Sequence, residues 1–426
     1  MLSSGGGPRG PRTAAGVGAD SRRASPSASR RHRREGRSHP GPKPSCPRST
    51  LDLGQRPAYD RDAVKPLSSR FTRRPPTIRD VARRAGVSVA TVSRVLNDAP
   101  GVRTDRRRAV RRAARELGFV PHAIARSLAR GRTGTLGLIV ADLTNPFYAE
   151  TAKAIVDAAR GRGYSVILCN TDNLPRLQAE QIEWLRRQRV DGLLLGSVHL
   201  RDPAVERLVN EGFPCVMFNR RLASGQGNWV VLDNVRGAEE ATSHFLALGH
   251  RRIGFVAGPA DFSTAAERLE GYRRALARAG AEPDPRLVRQ GHFRSDLAYQ
   301  AALDLLRADD RPTAILAGND VTALAVLDAA ADLGLRVPED LALCGFDDTS
   351  LSRRREIALT TVAQQKDEMG RLAVGYLLEF IEDPERFRRH PVHHVLPPTL
   401  VIRRSCGALR VPMAEHSVRV LQGGAS

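Results

Sequence analysis

From Thr135 onward the chain alternates short, continuous apolar runs with longer segments of helical periodicity. TLGLIVADL, YSVILCNT, DGLLLGSV and PCVMFN read as strands, separated by helical patterns such as FYAETAKAIVDAARGRG. A second series follows: RIGFVAG, TAILAGND and LALCGFDD, interleaved with RLEGYRRALARAG and VTALAVLDAAADLG. Strands that are apolar throughout, rather than at every second position, belong to parallel sheets covered by helices on both faces. Two such series predict two α/β lobes, which bind ligands at the carboxyl ends of their strands.

Ahead of this body the period changes. Between Thr77 and Gly118 three short helical patterns follow one another. The first, TIRDVARRAG, has Thr77 as N-cap with Asp80 at capping-box spacing, and Gly86 breaks it. The second, VSVATVSRVLN, is capped by Ser88 and lines one face with Val89, Val92, Val95 and Leu96. The third, TDRRRAVRRAARELGF, takes Thr104 as its cap and buries Val110, Ala114 and Leu117. Pro121 interrupts, and HAIARSLARGRTG leads into the body. Residues 1–70, by contrast, are rich in Ser, Gly, Pro and Arg with almost no apolar periodicity. Such a segment does not bury enough surface to offset its ordering entropy, so disorder is expected. It lacks the apolar stretch of a secretory signal, and reads as a basic arm on DNA or an extension without a specific role.

Charge sharpens the picture. The net charge of +21 over 426 residues is unevenly placed. Residues 1–76 hold 17 basic and 5 acidic side chains, residues 77–134 hold 14 and 4, and the remaining 292 hold 36 and 37. The excess therefore lies in the first third, attached to a nearly neutral body, as for a polyanion-binding head on a globular module. No apolar run approaches the length of a membrane-spanning helix. Five scattered cysteines without CxxC or zinc spacing point to a reducing compartment. No phosphate-binding loop, nucleophile elbow, HExxH or dinucleotide fingerprint occurs, so enzyme readings find no support and no cofactor is expected. The histidines of HPVHH (His390, His393, His394) suggest either a metal or, more simply, an exposed polar strand or loop.

The second short helix carries the candidate chemistry. Two helices of about eight residues joined by a tight turn at Gly86 make a helix-turn-helix, whose second helix enters the major groove. Its polar face offers Thr91, Ser93 and Arg94, short hydroxyls that approach phosphate closely and a guanidinium able to read guanine or hold a phosphate. A generic small helical bundle with a solvated basic face is the competing reading.

TIRDVARRAGVSVATVSRVLN, followed by GVRTDRRRAVRRAARELGFVPHAIARSLARGRTGTLGLIVADLTNPFYAE, closely resembles the lactose-repressor/galactose-repressor (LacI/GalR) family of bacterial transcription regulators. LGHRRIGFVAGP, ERLEGYRRAL, LAGNDVTALAVL, VPEDLALCGFDDTSL and LTTVAQQKDEMGRLAV extend the resemblance over about residues 77–405. It implies base reading by Val89, Ala90 and Arg94, and phosphate contacts by Thr77, Ser88, Thr91, Ser93 and Asn97. Being apolar, Val89 and Ala90 would touch thymine methyls or discriminate little. Pro121–Ala129 matches the family's hinge helix, with Leu128 as its minor-groove wedge, Ala125 one turn earlier, and His122 where the family usually carries Asn.

The body resembles periplasmic sugar-binding proteins, and the matched cleft positions are Asp142, Asn145, Phe147, Asn219, Arg268, Asn319 and Asp347. Asn145 also suits an N-cap before Pro146, Arg268 and Asp347 also suit a structural ion pair, and Asn219 replaces the family's frequent Asp. An aromatic such as Phe147 or Trp229 would stack on a sugar face. The implied protein is a cytoplasmic, nucleoid-associated repressor, a homodimer on a pseudo-palindromic double-stranded operator, responding to a small molecule of carbohydrate type. The implied plan is a disordered extension over 1–76, a head over 77–120, a hinge helix and linker over 121–134, a two-lobed body over 135–405 and a tail over 406–426. Lobe 1 takes about 135–232 plus 363–385, and lobe 2 about 233–362 plus 386–405. The tail has no sustained heptads, so no tetramerising coiled coil is expected.

Overall fold

The computed structural model describes residues 76–96, 99–119 and 132–408. The head comprises helices Ile78–Ala85 (α1), Val89–Leu96 (α2) and Thr104–Glu116 (α3) around a small core of Val81, Val92, Val95 and Val110. The capping box forms as the spacing predicts. The Thr77 amide donates to Asp80 Oδ2 at 2.8 Å, and the Asp80 amide donates to Thr77 Oγ1 at 3.4 Å. Gly86 closes α1 at φ 64°, a left-handed conformation that suits a residue without Cβ. Ser88 Oγ then accepts the Thr91 amide at 3.2 Å and starts α2.

Two local expectations fail. Val89 is not on the buried face but 41% exposed, because the first turn of α2 projects beyond the three-helix core. Thr104 is not the cap of α3 but its first helical residue. Arg103 takes the cap position, with no side-chain hydrogen bond.

In the body, strands and helices alternate as the apolar runs predict. One sheet holds Thr135–Val140 (β1), Ser165–Asn170 (β2), Gly192–Leu195 (β3), Cys215–Phe218 (β4), Asn228–Leu232 (β5) and His393–Leu396 (β11), in the order β11-β5-β4-β3-β1-β2 and parallel throughout. The other holds Ile253–Ala257 (β6), Val288–Gln290 (β7), Ala314–Ala317 (β8), Ala342–Asp347 (β9), Thr360–Ala363 (β10) and Thr399–Val401 (β12), in the order β12-β10-β9-β8-β6-β7. Only β12 runs antiparallel to its neighbour. The two sheets share one strand order throughout, the last strand of each differing only in direction. Each also carries a left-handed pair two residues past its second strand: Asp172 and Asn173 (φ 50° and 59°), His292 and Phe293 (φ 52° and 56°).

Helices Pro146–Gly161 (α4), Pro175–Arg187 (α5), Pro203–Asn210 (α6), Lys366–Glu382 (α11) and Pro384–Arg389 (α12) belong to the first lobe. Asn234–Ala247 (α7), Ser263–Arg278 (α8), Ser295–Leu306 (α9) and Asp320–Asp332 (α10) belong to the second. The chain therefore crosses between lobes three times, after β5, β10 and β11. The last crossing corrects the expected boundary at 386. Strand β11 pairs with β5, His393 opposite Trp229, and the Trp229 amide donates to the Val392 carbonyl at 2.9 Å. A four-residue strand carries no sign of which sheet edge it will complete. His393 and His394 lie on this strand, His393 stacked on Trp229 at 4.5 Å between centroids and His394 bonded to the Tyr376 hydroxyl at 2.9 Å.

Candidate functional site

On the head, the N-terminal turn of α2 presents Ser88, Val89 and Ala90 to solvent, with Arg94 one turn on. Thr91 and Ser93 are half-buried at the margins of this surface, and the first turn carries no acid. Such an end repels no phosphate, and its free amides favour one. Among the described residues of α2, Arg94 is the only one whose side chain can donate two hydrogen bonds to a base edge. Thr77 caps α1, its hydroxyl lying 2.7 Å from Asp80 Oδ2, as Ser88 caps α2, and a cap can also meet a phosphate. Asn97, His122, Ala125 and Leu128 lie outside the described residues.

In the body, all seven residues expected at a ligand site do converge. Asp142, Asn145, Phe147, Asn219, Arg268, Asn319 and Asp347 line one cleft between the carboxyl ends of the two sheets. Local structure places four of them. Asn145 caps α4, its Oδ1 accepting the Phe147 amide at 3.0 Å, and Asn319 caps α10 by accepting the Thr322 amide at 2.9 Å. Asn219 turns the chain after β4 at φ 64°, and Asp347 ends β9 at φ 114°. Gln364 donates to Asp347 Oδ1 at 2.7 Å, and Lys366 Nζ donates to the carbonyls of Asp347 and Asp348 at 2.7 and 2.8 Å. These bonds hold the carboxylate in a backbone conformation that few L residues adopt.

Arg268 and Asp347 meet at 3.6 Å, both almost fully buried. The ion pair expected as an alternative to ligand contact is thus present, on the wall of the cleft itself. Arg268 also donates to Asn234 Oδ1 at 3.0 Å and to the Gly318 carbonyl at 2.6 Å, with its guanidinium 3.7 Å above the Phe346 ring. Burial pushes the Asp347 carboxyl up to about 7, against the lowering pull of Arg268.

The cleft includes residues that sequence reasoning missed: Tyr148, Asn173, Arg220, Thr264 and Phe293. Tyr148 and Arg220 directly follow expected site residues and were within reach of a sequence reading. Asn173 and Phe293 depend on the left-handed turns after β2 and β7, which no periodicity announces. Trp229 is absent from the cleft, because it belongs to β5 and packs under His393. Arg220 is buried, donates to Asn173 Oδ1 at 2.9 Å and stacks 3.7 Å above Phe262. Two buried atoms here lack any hydrogen-bond partner, Asn219 Oδ1 and Arg220 Nε. Such groups are rare in protein interiors, since each forfeits its hydration without return.

The lobes meet over this cleft: His199 contacts Asp261 at 2.8 Å, Arg221 contacts Glu267 at 2.7 Å, and the Ser350 amide donates to Glu150 at 2.8 Å. The space enclosed by this lining is about 30 Å³, room for a water or two, and an open pocket of about 680 Å³ adjoins it at Asp142 and Asn173, between His199 of one lobe and Asp261 and Arg294 of the other. For a ring-sized ligand to reach the enclosed lining the lobes must part and close again, a hinge motion.

Residues 77–122 match the model for bacterial regulatory proteins of the lacI family, and residues 242–406 the model for a periplasmic binding protein-like domain. The chain is 35% identical over 330 residues to the HTH-type transcriptional repressor PurR of Photobacterium profundum, covering 77% of this chain and 98% of that one. It belongs to the lacI family. Members nearby include the ribose operon repressor of Escherichia coli strain K12, 38% identical over 310 residues, 72% of this chain and 94% of that one. The structure of the lac repressor dimer bound to operator and the anti-inducer ONPF superposes with a TM-score of 0.70 at 29% identity, covering 78% of this chain and 99% of that one. As a lacI-family member, this chain is a DNA-binding transcription regulator with a helix-turn-helix head and a periplasmic-binding-protein-like body. Among the described residues no helix is long and apolar enough to cross a membrane.

Proposed function

We propose that the protein is a ligand-responsive repressor, without catalysis, that binds a pseudo-palindromic operator as a homodimer in the cytoplasm. Its effector is a small polyhydroxylated molecule, a carbohydrate, held in the cleft between the lobes. The observation that carries the effector class is the adjacent pair of unpartnered groups, Asn219 Oδ1 and Arg220 Nε. One is an acceptor and the other a donor, and a hydroxyl serves both roles. Phe147 and Phe293 supply apolar faces beside them, and Asp142, Asn319, Arg268 and Asp347 add further polar groups. That the lac repressor was solved with an operator and an anti-inducer, and that a relative is named for the ribose operon, support the same reading.

The mechanism follows from differential binding. Thr77, Ser88, Thr91, Ser93 and Asn97 hold phosphates, while Arg94 with Val89 and Ala90 reads base edges. Leu128 wedges the minor groove from the hinge segment. Effector stabilises one arrangement of the lobes and shifts operator affinity only by its unequal affinity for the DNA-competent and DNA-incompetent states, typically about 1–3 kcal/mol.

Selection of binding sites from random duplex DNA tests the head. Two related half-sites in opposite orientation are expected, and recovery of no motif refutes a specific dimeric regulator. Binding to that site is then followed across a panel of pentoses, hexoses and disaccharides. A response to one of them that disappears in Asn219→Leu supports the cleft assignment, and a response retained in that variant refutes it.

A further inference from the structure

Helix α3 buries Val110, Ala113 and Ala114 against the head core. On its opposite side Arg108, Arg112 and Arg115 are all exposed. Their spacing, i, i+4 and i+7, gathers them within roughly 60° of arc. They span about 10 Å of helix axis, the rise of about three phosphates along one strand of duplex. The acids of the helix do not offset this stripe. Asp105 sits at the first turn beside Arg103 at 3.5 Å, and Glu116 is engaged by Arg84 of α1 at 2.9 Å, reaching Arg112 only at 3.8 Å. The groove-reading surface belongs to α2 and the arginine stripe to α3, two helices that each bury their other side in the same core.

We infer that the Arg108–Arg112–Arg115 stripe of α3 is a second DNA-binding surface, which holds the phosphates of another duplex segment while α2 occupies the operator. Guanidinium is the group suited to this, because its planar fork pairs two phosphate oxygens at once. Duplex DNA is the polyanion indicated because a head seated on an operator is surrounded by it at high effective concentration. The contact is independent of sequence and sensitive to salt, and it lets a dimer bridge two segments without tetramerising. This inference rests on the reading of α2 as the operator helix.

The test uses the full chain on beads bearing a duplex with the selected site. After washing at about 0.15 M salt, a labelled second duplex lacking the site is added. Capture of the second duplex is expected. In the variant Arg108→Gln/Arg112→Gln/Arg115→Gln, capture should be lost, and the salt slope of any residual capture should fall by about 2.7, the value for three phosphates. Operator affinity should stay within about threefold of wild type, which also reports a folded head, since Gln sustains an exposed helix nearly as well as Arg. No capture by the wild type overturns the inference, as does undiminished capture by the variant, which would assign it to other basic residues. An equal loss of operator affinity also overturns it, because the stripe would then touch flanking phosphates of the first duplex. Failure of the operator selection itself would instead strike the proposed function.

Discussion

Arg268→Met separates the two things this guanidinium does. Methionine keeps a long apolar stem against Phe346 while removing the donors to Asn234 and Gly318 and the charge facing Asp347. Losing one partner of a buried ion pair costs about 3–5 kcal/mol when the other is left charged. Asp347 has a way out, because its carboxyl already titrates at about 7 rather than 3.8 and would titrate higher still without Arg268. A carboxyl raised in the folded state contributes stability at low pH that is lost as pH climbs from the unfolded value through the folded one. In the wild type that loss ends near pH 7, whereas in the variant it continues above. The stability gap between them should therefore be flat below pH 7, where only the lost hydrogen bonds count, at about 1–3 kcal/mol. Above pH 7 it should widen by up to about 1.4 kcal/mol per pH unit. Urea denaturation of both proteins from about pH 6 to about pH 8.5 measures this, and adding Asp347→Asn to the variant should remove the widening. A gap that stays constant across that range, or a widening that survives Asp347→Asn, would refute the account of this pair.

Leu128→Ala should weaken operator binding far more than non-specific binding in parallel titrations; equal losses would contradict the wedge. In Gly271→Ala the new Cβ would sit 2.1 Å from the Val235 carbonyl oxygen, where α7 and α8 touch. Overpacking of this kind costs about 1–3 kcal/mol, so the midpoint of thermal unfolding should drop, and an unchanged midpoint would show that the helices separate freely. Val89→Gln places an amide at the exposed start of α2, and a repeated site selection should return altered bases in each half-site. An identical motif would exclude Val89 from the base-reading surface.

The sequence by itself determined the parts written in local periodicity and local hydrogen bonding. Continuous apolar runs specified parallel strands, because a strand covered on both faces admits no polar position. Thr77 with Asp80, Gly86 and Ser88 announced the helix-turn-helix, since a cap is satisfied within three residues of itself. Family resemblance then carried seven cleft residues to their positions. Tertiary structure alone decided what depends on distant segments meeting. It assigned β11 to the first sheet rather than the second, took Trp229 out of the cleft and stacked it on His393, and brought Asn173 and Phe293 in from opposite lobes. It also left Asn219 Oδ1 and Arg220 Nε unsatisfied. The physical reason is the same each time. The chain crosses between lobes three times, so which loops converge is fixed by strand pairings up to some 160 residues apart, as for His393 opposite Trp229, and no short-range pattern encodes them.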